Sequence, residues 1–69
     1  MGDDSINPAI IKARIVDNMA VAREYSTELI ARETDLSTET AHEYLEELAR
    51  ENRIRKREDE AGEKWVLLQ

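Results

Sequence analysis

Cysteine is absent from this 69-residue chain, which excludes both a disulfide framework and a thiolate zinc site. The fold must stand on packing alone, at a size where a single hydrophobic core is only marginally sufficient. No apolar run approaches the roughly 20 residues of a membrane span. The start, Met1-Gly2-Asp3-Asp4, lacks the basic flank of a signal peptide. These absences predict a soluble, cytoplasmic protein with no membrane contact. With two glycines and one proline there is no glycine-rich phosphate loop, and no Ser/His/Asp set has supporting context. So small a chain also has little room for a buried pocket, so no enzyme activity and no cofactor are expected.

Positive charge is also scarce. Ten basic residues face 16 acidic ones, a net charge of -6, with seven arginines and three lysines. That balance is the reverse of a typical nucleic-acid binder. It fits either a protein that docks on a basic partner or one from a high-salt cytoplasm, where the Debye length shrinks to about 3 Å at 1 M and an acidic surface repels itself little. Net charge is therefore not read as partner charge.

What is present is helical periodicity broken by capping residues. Residues 1–6 read as a short, flexible N-terminus and residues 7–69 as one domain. Asn7-Pro8 is a helix start, because Asn caps free N–H groups and proline at the first helical position has no donor to lose. Ile6 and Ile11 fall at staple positions across that cap. Ile11, Ile15 and Met19, followed by Ala22, form an inward stripe, which predicts a first helix from Pro8 to about Ala20. Ser26 caps a second, from Thr27 to about Thr34, with Tyr25 and Ile30 at staple positions. Its inward face is Ile30 and Ala31.

Asp35 sits where the chain must reverse, a place that demands a left-handed backbone which Asp and Asn tolerate better than most residues. Leu36 should turn back into the core. Ser37 then caps a third helix, Thr38 to about Glu51, with Ala41, Tyr44, Leu45 and Leu48 on one face and Asn52 at a left-handed C-cap. Beyond it, Arg53 to Leu68 reads as a β-hairpin turning at Glu58 to Glu63. Alternation puts Arg53, Arg55 and Arg57 on one face of its first strand, with Ile54 and Lys56 on the other.

The set Ile30-Ala31, Asp35-Leu36-Ser37, Ala41, Leu45, Leu48, Asn52 and Ile54 resembles the winged helix-turn-helix domains of bacterial and archaeal transcription regulators. Asp35 and Asn52 stand where that family usually has glycine, and Ala41 where it has a branched aliphatic. The resemblance implies an α+β, mainly α fold: a three-helix core plus a C-terminal hairpin wing. It also implies double-stranded DNA as partner, with the start of the third helix in the major groove and the wing on the phosphate backbone.

Two sets of residues could carry that function. Residues 50 to 57 hold Arg50, Arg53, Arg55, Lys56 and Arg57 against Glu51, a local charge of +4, leaving -10 for the rest of the chain. Such side chains would contact phosphates without sequence choice. The alternative is a solvated strand whose cations pair with Glu58, Asp59 and Glu60. On the third helix, Thr38, Glu39, Thr40, His42 and Glu43 are the candidates for base edges. The glutamates argue against that role, since they repel phosphate and also satisfy a helix start electrostatically. The competing function is a protein-interaction domain docking this acidic helix on a basic partner. His42 with Glu39, Glu43 and Glu46 nearby lacks a second histidine or a cysteine, so no metal is expected. Tyr25, Tyr44 and Trp65 are assigned to core or cap packing. A monomer is the default, with a homodimer needed only for palindromic DNA.

Overall fold

The computed structural model describes residues 7–68. Three helices, α1 (Pro8–Asp17), α2 (Thr27–Thr34) and α3 (Thr38–Arg50), pack against an antiparallel sheet of β1 (Glu24–Tyr25), β2 (Ile54–Asp59) and β3 (Gly62–Leu67), in the order β1-β3-β2. The chain is thus α+β, with helices its larger part. The expected staple residue Ile6, the N-terminal segment and Gln69 lie outside the described residues.

Each helix starts on the side chain expected to cap it. Asn7 Oδ1 accepts the Ala9 N–H, Ser26 Oγ the Leu29 N–H and Ser37 Oγ the Thr40 N–H, at 3.0, 3.1 and 3.1 Å. Asp35 (φ 60°) and Asn52 (φ 65°) are both left-handed, as their positions demanded. The core beneath is Ile15, Met19, Ile30, Ala31, Ala41, Leu45, Leu48, Ile54, Trp65 and Leu67. Ile11, Tyr25, Leu36 and Tyr44 pack against it half-buried. Ala31 and Ala41 are both buried, small enough for α2 and α3 to cross closely.

Two expectations fail between residues 17 and 25. The first helix ends at Asp17 rather than near Ala20, and Ala22 is an exposed residue at φ 70° instead of part of the inward stripe. The hairpin is also not the whole sheet, because Glu24 pairs with Val66 and Tyr25 with Trp65. Both have one cause. Continuing the helix would carry the chain past the sheet edge, whereas breaking it lets Met19 drop into the core and the Ala22 N–H bond to Leu67 O at 3.2 Å. The Tyr25 hydroxyl fixes the turn by accepting the Ala20 N–H at 2.7 Å.

Trp65 is fully buried, and its indole N–H donates to Thr27 Oγ1 at 2.8 Å, tying the middle of β3 to the start of α2. Alternation along the strands then divides the side chains. Ile54 and Lys56 of β2 share the inner face with Glu63, Trp65 and Leu67 of β3, while Arg55, Arg57 and Val66 lie on the outer face with Glu24.

Candidate functional site

The starts of α2 and α3 and the β2–β3 turn converge on an open groove of about 730 Å³. Its walls carry Glu28, Glu39, Glu43 and Glu63 with His42, and neither a lysine nor an arginine lines it. The turn beside it adds Glu58, Asp59 and Glu60, all exposed. Lys64 reaches Asp59 only at 3.9 Å. The side of the domain presenting the start of α3 is accordingly dominated by carboxylates.

On the floor of the groove, His42 stands edge-on to Trp65, with ring centroids 5.9 Å apart at 75°. Its Nε2 lies 3.3 Å from Glu46 Oε2 and 3.2 Å from Glu63 Oε1. Lys56, pointing inward along β2, reaches Glu46 Oε2 at 3.0 Å, Glu63 Oε2 at 3.5 Å and Glu58 at 3.8 Å, and sits over the Trp65 ring at 5.8 Å. The hydrogen bond to Lys56 holds the Glu46 carboxyl below its ordinary range, and the same bond raises the Lys56 ammonium.

The basic cluster is divided by the same alternation. Lys56 is consumed within this group, and Arg57 Nη1 crosses the outer face of β3 to Glu24 at 2.9 Å. Arg50, Arg53 and Arg55 are exposed and pair with no carboxylate among the described residues. They gather around the end of α3 and the start of β2. A rise of 1.5 Å per residue puts Arg50 about 18 Å along the helix from Thr38. The expected residues therefore fall into two regions. Thr38, Glu39, His42 and Glu43 belong to the groove. Arg50, Arg53 and Arg55 do not line it, and lie at the end of α3 and the start of β2. Thr40 faces neither, since its hydroxyl accepts from Ser37 Oγ at 2.9 Å.

Sequence reasoning missed the acidic contributors from outside α3, Glu28 and Glu63. The alternation that places Trp65 inward also places Glu63 inward, so that signal was present. Nothing in the local sequence joins Lys12 on α1 to Glu47 on α3 and Glu51 at its C-cap, at 3.0 and 2.6 Å.

No family model, curated protein or solved structure matches the chain. Among the described residues, no helix is long and apolar enough to cross a membrane.

Proposed function

We propose that this chain is a winged helix-turn-helix interaction module whose acidic groove docks a cationic segment of a partner protein. The observation that carries the reading is the negative lining beside α3: Glu28, Glu39, Glu43 and Glu63 stand around one groove, and among the described residues only Glu63 meets a lysine, Lys56 at 3.5 Å. A duplex brought to the start of α3 would set its phosphates against these carboxylates, a like-charge juxtaposition costing several kcal/mol. A lysine- or arginine-bearing segment meets complementary charge there.

A second reading, DNA binding, draws on those arginines. Arg50, Arg53 and Arg55 could hold phosphates away from the groove, giving affinity without sequence choice. One titration separates the two. An arginine-rich peptide and a DNA duplex are each added to the intact chain at low and at high salt. Peptide binding that weakens with salt, and is lost in Glu39→Lys/Glu43→Lys, is the expected result. Duplex binding at low salt without peptide binding would replace this reading with the second.

A further inference from the structure

We propose that His42, Glu46 and Glu63 form a binding site for a divalent transition-metal ion of the zinc type, with Lys56 holding the position of that cation when no metal is bound. In a zinc site, bonds of about 2.0–2.2 Å at tetrahedral angles put neighbouring ligand atoms about 3.3–3.6 Å apart. The His42 Nε2 contacts to the two carboxylates, 3.3 and 3.2 Å, have that length, and all three ligand atoms lie within 4.8 Å of one another. One nitrogen thus stands close to both carboxylates at once. The ring is already oriented by Trp65, and α3 supplies His42 and Glu46 one turn apart, so little ordering remains to be done on binding.

Charge supports the same assignment. Among the described residues Lys56 is the only lysine or arginine within ion-pair reach of Glu46, Glu58 and Glu63, so it offsets one of three carboxylate charges and leaves two. A divalent ion cancels both. Lys56 is long and about a third exposed, and can give up Glu46 while keeping Glu58 and the outer oxygen of Glu63. All three ligands are about a third exposed, and two of them line the groove, which leaves a fourth position open to water. One nitrogen and two carboxylates favour zinc, cobalt or nickel over magnesium, which demands near-ideal octahedral oxygen geometry. Glu63 comes from β3, which is why α3 alone looked one ligand short.

The test titrates Zn²⁺ by calorimetry, and Co²⁺ by its visible absorption, into the intact chain and into His42→Ala, Glu63→Gln and Lys56→Met, each first checked for native circular dichroism. One ion per chain should bind, with tetrahedral-type cobalt absorption. Affinity should fall at least tenfold in Glu63→Gln and binding should disappear in His42→Ala. Lys56→Met, which keeps an apolar stem over Trp65 but removes the competing ammonium, should bind at least tenfold more tightly. A purely structural lysine would not give that gain. Zinc affinity that survives His42→Ala, or that fails to rise in Lys56→Met, overturns the proposal, as does absence of binding in both wild type and Lys56→Met.

Discussion

Asp35 and Asn52 end successive helices by the same device. After α2, the Asp35 and Leu36 N–H groups return to Arg32 O and Ala31 O, and after α3 the Asn52 and Arg53 N–H groups return to Ala49 O and Leu48 O. Each is a 5→2 and 6→1 bond pair with a left-handed residue at its pivot, φ 60° and 65°. Repeated use sets how α2 enters α3 and how α3 enters the β2–β3 hairpin, so the placing of the groove and of the arginines after α3 depends on these two backbone conformations.

Neither pivot is glycine, and both should be improvable. Asn52→Gly removes the Cβ penalty of the left-handed region and should stabilise the domain by about 0.5–1 kcal/mol after the entropic cost of glycine. Asp35→Gly should gain more, because it also removes a negative charge from the C-terminal end of α2. Valine at either position should destabilise by about 1–3 kcal/mol. Thermal melts check the order, since 1 kcal/mol moves the midpoint of so small a domain by about 4–8 °C.

The bond from Trp65 to Thr27 leads to a second expectation. Thr27→Val keeps the shape of the side chain but leaves a buried indole N–H without its acceptor, costing about 1–3 kcal/mol. Trp65→Phe in the same background should add less than it does alone, because the orphaned donor disappears with the indole. Denaturant midpoints of the two single variants and the double variant, followed by circular dichroism, measure that coupling. Strict additivity would mean the bond contributes nothing.

These features were legible in the sequence to different degrees, according to the range of the interactions that make them. Caps and pivots are local: Asn7, Ser26, Ser37, Asp35 and Asn52 act on groups within a few residues, so residue type and spacing sufficed. The inward turn of Lys56 followed equally from strand alternation. What was not legible needs tertiary partners. β1 is two residues with no periodicity of its own, and it exists because β3 offers an edge. The end of α1 is marked by no glycine or proline, and is set by where Met19 and Tyr25 must go. The groove takes residues from both helix starts and the β2–β3 turn, so no single stretch of sequence displayed its charge.

The α1–α3 tie should make stability pH-dependent in a definite direction. Hydrogen bonding to Lys12 lowers the Glu51 pKa below its ordinary value, and hydrogen bonding to Glu51, then Glu47, raises that of Lys12. A lowered carboxylate contributes stability that is present above its unfolded value of about 4.5 and lost as pH falls through the folded one. A raised ammonium contributes below about 10.5 and loses that contribution as pH rises through its folded value. Lys12→Met should flatten both limbs of the stability profile while leaving the neutral plateau only slightly changed, because the pair is partly solvated. Melts of the variant and the wild type from pH 3 to 11, compared limb by limb, supply the check; an unchanged acid limb would show that the tie does not act in solution.

The division of charge along α3 makes the functional readings separable by reversal at its two ends. Glu39→Lys/Glu43→Lys changes only exposed side chains, so the fold should survive with a loss of about 1 kcal/mol from removing negative charge at the start of α3. Affinity for an arginine-rich peptide should drop by at least tenfold, whereas any duplex affinity should stay level or rise. Arg53→Glu/Arg55→Glu should leave peptide affinity unaffected and abolish whatever duplex binding exists. Within the arginines, Arg55→Ala should weaken duplex binding more than Arg57→Ala, because Arg57 is already committed to Glu24 at 2.9 Å. Each phosphate contact removed lowers the slope of log affinity against log salt by about 0.9, so salt titrations of the two single variants measure the difference directly. Equal losses of slope would mean that the Arg57–Glu24 pair opens on binding. Loss of duplex binding in the glutamate reversal would place DNA in the groove after all and remove the protein-docking reading.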